Sequence, residues 1–309
     1  MRQRELAGSN ADRQNNSQIY TLIVIIRKSF CLLRHFSKAM SPDEALRHIQ
    51  AQHRYLFEQA EFAALLGMAP TDLAVTGALS RLSRKKRIVA AAKRTSGWII
   101  VPPEHEHYGA PPVTWWLDDY MKRLEPRYYV GLLSAARYWG SAHYALQTTQ
   151  VMVGRARRSV AVGAHRLDFT VKTRLDETPT VVVRGDVAPW RVSTREATLL
   201  DLLRAQVSIG GVEAVARVTN DFAKDLDADK MTRALDGLGH TSTAQRLGFL
   251  LEALGHVRPA RRIRKWIAPR RTVSVPLELQ VPDDCALELN KDWDVMYAPG
   301  RLLFLEEIR

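Results

Sequence analysis

The sequence predicts a two-domain α/β (α+β) protein, an N-terminal winged helix-turn-helix followed by a larger mixed α/β domain. Three observations carry that prediction. Residues 43–101 run helix, helix, turn, helix and two short strands, in that order. The stretch "VPPEHEHYGAPPV" then concentrates four prolines and a glycine, which resist both helix and central strand. Beyond it, aromatic residues at helical spacing give way to consecutive short strand-like runs and then to amphipathic helices. With 309 residues, 46% of them hydrophobic, the chain is long enough to bury a sizeable core.

Four segments are expected. Residues 1–39 read as a loosely structured extension or a start-site artefact. The apolar run 19–26 is cut by Arg27 and Lys28, far short of the roughly 20 residues that span a bilayer, and the preceding polar stretch with Glu5 and Asp12 does not suit a signal peptide. Order is expected from Met40, because Ser41 can cap a helix with Pro42 at its first position and acids in its first turn. Residues 40–103 form the winged helix-turn-helix, 104–113 the proline-rich linker and 114–309 the α/β domain.

Within the first domain, residues 43–66 give two helical segments, with Leu46, Ile49, Leu56, Phe57, Phe62, Leu65 and Leu66 as apolar positions and Gly67 as the stop. Thr71 can cap the third helix, which runs to residue 86 and aligns Val75, Leu79 and Leu82 on one face. Residues 88–91 and 97–101 read as the two strands of the wing. Between Arg81 and Arg94 stand seven basic residues and no acid. Phosphate contacts are therefore expected from Lys85, Lys86, Arg87, Lys93 and Arg94, with Thr76, Ser80, Arg81 or Arg84 toward base edges and Thr71 among the DNA-binding residues at the head of the helix.

In the second domain, "WWLDDYMKRLEPRYYVGLLSAARYWG" reads as two helices parted at Pro126, its aromatics weighted toward core over base stacking. Strands are expected over 150–153, 159–162, 166–171 and 180–183. Ser193 and Glu196 have capping-box spacing, which accounts for them without chemistry. Amphipathic helices ended by glycines come next. A second block, residues 258–271, again holds seven basic residues and no acid, interleaved with Ile263, Trp266 and Ile267. It reads equally as a contact for RNA or an acidic partner, through Arg261, Arg262, Arg264 and Lys265, or as a solvated helix. The tail from Thr272 reverses sign, with eight acids against three bases.

The net charge of +12 favours a polyanionic partner. Cys31 and Cys285 are too few for a disulfide framework or a zinc site, so a cytoplasmic compartment is expected. His105 and His107 lack further metal ligands. Glu288, Lys291, Asp292 and Asp294 do not pair convincingly with Asp168 or Asp186 as a nuclease centre. Phosphate-cradling glycine motifs are absent from the sequence. No cofactor and no metal is expected.

Taken in order, the winged-helix segment, "YYVGLLSAARYWG" with "TTQVMV", "VSTREATLLDLL" and "TAQRLGFLLEALG" resemble the AbiEi family of bacterial antitoxins, the antitoxin halves of abortive-infection (type IV) toxin/antitoxin pairs. The resemblance runs from about residue 45 to the C-terminus and rests on diffuse motifs. It implies a non-enzymatic protein whose winged helix, residues 71–94 here, represses its own operon, while the C-terminal domain opposes a nucleotidyltransferase toxin, directly or indirectly. Partners are then operator double-stranded DNA, with two copies on one operator, the cognate toxin and RNA, with no membrane. Two other readings stand beside it: a metal-dependent nuclease or other nucleic-acid-processing enzyme targeted by the winged helix, and a transcriptional regulator with a ligand-sensing second domain.

Overall fold

A computed structural model describes residues 39–92, 97–141, 148–282 and 285–308. The first unit opens with α1 (Pro42–Ala51), where Ser41 and Glu44 form a reciprocal capping box. Next come β1 (Leu56–Glu58), α2 (Gln59–Leu65), α3 (Leu73–Arg84), β2 (Ile88–Ala90) and β3 (Gly97–Ile100). The three strands form one antiparallel sheet in the order β1-β3-β2. That is the element order of a winged helix.

Alternation along these strands gives the small sheet two buried faces. Phe57, Ile88 and Ile100 join Leu46, Ile49, Phe62, Val75, Leu79 and Leu82 under the three helices. Leu56 and Ile99 point the other way, into a second cluster with Trp116, Leu117, Tyr120 and Met121. The sheet is therefore shared between the N-terminal helices and the start of the larger part. The proline-rich segment is also packed: Ala110, Val113 and Trp116 are buried, the Trp116 indole donates to the Pro111 carbonyl at 3.2 Å, and the Tyr108 carbonyl accepts the Ala164 amide at 2.7 Å.

The larger part is built on a six-stranded mixed sheet. After α4 (Leu117–Leu124) come β4 (Tyr128–Val130), α5 (Leu132–Tyr138), β5 (Thr148–Val153), β6 (Val160–Val162), β7 (His165–Val171), β8 (Thr180–Arg184) and β9 (Pro189–Ser193), in sheet order β6-β7-β5-β4-β9-β8. Val130, Val151, Val153, Leu167 and Val192 face Trp116 and α4, while Tyr129 and Met152 face the helices beyond. Those helices are α6 (Arg195–Arg204), α7 (Gly211–Phe222), α8 (Ala228–Leu238), α9 (Thr241–Ala253) and α10 (Val257–Ile267). Strands β10 (Val275–Pro276), β11 (Glu288–Asn290) and β12 (Val295–Tyr297) form a small sheet, and α11 (Phe304–Ile308) ends the described chain. Eight of the ten residues of α6 are buried, which accounts for its weak amphipathic pattern and its place inside the helical layer. Gly248 on α9 lets Trp293 lie against the helix, because a Cβ there would overlap the indole ring.

Several sequence expectations are corrected. Leu56 and Phe57 are in a strand, not a helix, since His53 turns the chain at φ 55 and the apolar pair then completes the sheet. Tyr128, Tyr129 and Val130, aromatic and β-branched, form β4 where a helix was expected, and helix resumes only at Leu132. Asp72, not Thr71, caps α3, its carboxylate accepting the Ala74 amide at 2.8 Å. Likewise Thr194, not Ser193, caps α6. The Ser193 hydroxyl instead pairs with Thr198 at 2.7 Å, and Glu196 accepts the Asp227 amide at 2.9 Å. The helical stretch after Gly211 breaks before Asp227, which caps α8 through the amides of Asp229 and Lys230.

Candidate nucleic-acid interface

The geometry of α3 arises from its sequence. Val75, Ala78, Leu79 and Leu82 recur at three and four residues and are buried. Leu73, Ala74, Thr76, Ser80, Arg81 and Arg84 are left exposed on the opposite side. Thr76, Ser80 and Arg84 are four apart, so their side chains stack along one edge of the helix. The helix closes with the amide of Lys86 on the Ser83 carbonyl and that of Arg87 on Leu82. This is a Schellman closure, with Lys86 in the left-handed position at φ 55 that glycine usually fills. Three consecutive cations, Arg84, Lys85 and Lys86, thus project from a helix C-terminus, where the helix dipole also favours them.

Arg81, Arg84, Lys85 and Lys86 have no acidic partner among the described residues. Arg87 differs: it is half-buried, 3.7 Å from Asp43 on α1. Thr71 is exposed just outside the helix, and Lys93 and Arg94 lie outside the described residues. One outward residue escaped the sequence reading. Leu73 is 87% exposed in the first turn of α3, an apolar side chain on an otherwise polar face. Its signal was the break in the apolar periodicity that the neighbouring residues keep.

The second basic block is arranged otherwise. On α10, Ala260, Ile263 and Trp266 face inward. Arg264 lies 2.8 Å from Glu252 and 3.8 Å from Asp292, and its guanidinium sits 4.7 Å from the Trp293 ring centre. Arg262 approaches Asp229 at 3.4 Å, and Arg270 approaches Asp236 at 3.4 Å while covering Trp266. Arg261 and Lys265 are exposed, without an ion pair among the described residues.

A buried polar cluster that the sequence did not reveal joins the main sheet to α6. The Lys172 ammonium donates to one carboxylate oxygen of Asp201 at 2.6 Å, and the Tyr129 hydroxyl donates to the other at 2.7 Å. Burial, and then the Asp201 charge, push the Tyr129 hydroxyl far above its ordinary range, so it stays protonated and acts as a donor.

The carboxylates weighed for a nuclease are dispersed. Asp168 on β7 is held by Arg166 at 2.8 Å; burial alone would raise its carboxyl, but hydrogen bonds from Ser159 and Arg166 hold it below the usual range. Glu288, in the small C-terminal sheet, accepts from the Tyr297 hydroxyl at 3.2 Å, and Asp294, in the turn before β12, from the Thr272 hydroxyl at 2.9 Å. Among the described residues no group of three or more His, Cys, Asp or Glu is placed to hold a metal. Nor is any described helix long and apolar enough to cross a membrane.

Comparison with known proteins gives matches in fold and in family. In fold, the chain is similar to the crystal structure of the RV2827C protein from Mycobacterium tuberculosis, with a TM-score of 0.58 and 16% identity over 84% of this chain and 93% of that one. At that identity the likeness concerns the fold alone. No curated protein matches. Residues 129–253 match the family model of the AbiEi antitoxin C-terminal domain, a span that begins at Tyr129 in β4, contains Lys172 and Asp201, and ends with α9. Those residues form an AbiEi antitoxin C-terminal domain.

Proposed function

We propose that the chain is a cytoplasmic antitoxin without enzymatic activity of its own, which binds the DNA upstream of its own gene through the winged helix and represses the operon. One observation carries the DNA-binding part: the outward face of α3 and its closure present Thr76, Ser80, Arg81, Arg84, Lys85 and Lys86 with no acid to neutralise them among the described residues. A duplex supplies the missing counter-charge. Docked by α3 in the major groove, the domain meets base edges with Leu73, Thr76, Ser80 and Arg81, and phosphates with Arg84, Lys85, Lys86 and the wing residues Lys93 and Arg94. Leu73 suits a thymine methyl. Thr71 and Arg87 are flanking contacts, the latter once it leaves Asp43. Two half-sites per operator bring two copies of the chain.

The antitoxin domain opposes a nucleotidyltransferase toxin, by contact or by competing for its nucleic-acid substrate. Of the residues on α10, Arg261 and Lys265 are the freest to take part, with Arg262 and Arg264 partly engaged by acids. Fluorescence anisotropy with the upstream DNA and a scrambled duplex, across salt concentrations, tests the repressor reading. Preference for the upstream DNA, with a salt slope reduced by about 0.9 in Arg84→Ala, supports it. Equal, weak binding to both duplexes sinks it.

A further inference from the structure

The second basic block borders a cavity that the antitoxin reading does not use. It lies between the end of α7, the start of α8 and the first turn of α10, and encloses about 600 Å³, within the range of small-molecule sites. Its wall is chemically divided. Leu226, Met231, Val257 and Pro259 supply an apolar side, while Lys224, Arg258 and Arg262 supply three cations. Asp227 is the only acid among the lining residues, and one of its oxygens already accepts two backbone amides at the head of α8. Arg262 shares its charge with Asp229, but Lys224 and Arg258 have no counter-ion among the described residues.

His256 adds a directional group. Asn220 donates its amide N–H to the Ile308 carbonyl at 2.9 Å, which turns the amide oxygen toward His256 Nε2 at 2.7 Å. Nε2 therefore carries the proton, and Nδ1 is an acceptor with no partner among the described residues. Burial, and then the nearby Lys224, hold the imidazole below its usual range, which keeps that acceptor neutral.

We infer that this cavity binds a nucleoside phosphate. The phosphate sits on Lys224 and Arg258, with Arg262 at the edge, as a doubly charged anion between two uncompensated cations. The base lies on the apolar wall, where the Met231 thioether suits an aromatic face. His256 Nδ1 accepts from a base amino group or a ribose hydroxyl. Inorganic phosphate alone leaves the apolar wall wet, and a nucleoside alone leaves the cations unmatched. This inference is independent of the winged helix and of repression.

Isothermal titration of the full chain with AMP, GMP, CMP and UMP, beside adenosine and inorganic phosphate, tests it. At least one mononucleotide is expected to bind tenfold or more tightly than either adenosine or phosphate. Lys224→Ala and Arg258→Ala, both at exposed positions, are each expected to weaken that binding about tenfold. Lys230→Ala, on the helix that Asp227 caps but outside the cavity wall, leaves it unchanged. Three results overturn the inference: no mononucleotide binding at millimolar concentration, phosphate binding as tightly as any nucleotide, or nucleotide binding indifferent to both cavity variants while thermal melting shows them folded.

Discussion

Residues 81–94 and 258–271 are alike in sequence, each with seven basic residues and no acid, yet the fold treats them differently. In the second block Arg262, Arg264 and Arg270 meet Asp229, Glu252, Asp292 and Asp236, and two of those arginines also cover tryptophan rings. In the first, only Arg87 meets an acid among the described residues. A run of positive charge therefore indicates a partner only after the tertiary fold has shown which charges it neutralises itself. The deciding factor is the set of acids delivered from distant parts of the chain.

The largest effect is expected where a charge is paired and also buried. Asp201→Ala strands the Lys172 ammonium and leaves the Tyr129 hydroxyl without its acceptor, so urea denaturation should show a loss of about 3–5 kcal/mol. The double replacement Lys172→Met with Asp201→Leu removes both charges and should cost less than Asp201→Ala alone. A loss under about 1 kcal/mol for the single variant would mean that this cluster is solvated like the surface pairs.

Next is the direct contest between the blocks. Replacing Arg81, Arg84 and Lys85 together by alanine should lower affinity for the upstream DNA about a hundredfold at physiological salt, through the loss of one base contact and of two phosphate contacts, each of the latter releasing about 0.9 counterion. The matched triple at Arg261, Arg264 and Lys265 should change it less than about threefold. Equal losses in anisotropy titrations would erase the distinction and make the DNA attraction a property of net charge alone.

How far the sequence foretold these differences depends on the range of the interaction. The capping of α1 by Ser41, the inward stripe Val75, Leu79, Leu82 and the two strands after α3 were legible, because each is set by residues within one or two turns of one another. Asp72 and Thr71 are neighbouring residues of capping type, so sequence alone did not choose between them. Strand β4 was missed because Tyr128, Tyr129 and Val130 find their partners in β5 and β9, the latter about 60 residues on. The same holds for Lys172 with Asp201 and for the acids that quench α10. The outward face of the candidate site was therefore readable, while the neutralisation of its rival was not.

Lys86 sharpens the comparison from within the first block. Its left-handed backbone at φ 55 costs a non-glycine residue about 1 kcal/mol, partly offset by the lower unfolded-state entropy of lysine. Lys86→Gly should thus raise stability by about 0.5 kcal/mol while weakening DNA binding about fivefold, the value of one phosphate contact near physiological salt. Stability without loss of binding would remove Lys86 from the interface and leave its side chain as a solvated cap.

The smallest effect is expected when a paired arginine is released. Glu252 accepts from both Arg264 and the Trp293 indole, at 2.8 and 2.5 Å. Glu252→Gln keeps an acceptor for the indole but removes the negative charge facing Arg264. Both partners of the ion pair are more than a third exposed, so stability should fall by well under 1 kcal/mol. The informative readout is elsewhere: non-specific binding to heparin should strengthen, because α10 then carries one more uncompensated cation, as α3 already does. If heparin retention stays unchanged at low salt, Asp292, 3.8 Å from Arg264, is sufficient to hold that arginine alone, and the block is neutralised by a network rather than by single pairs.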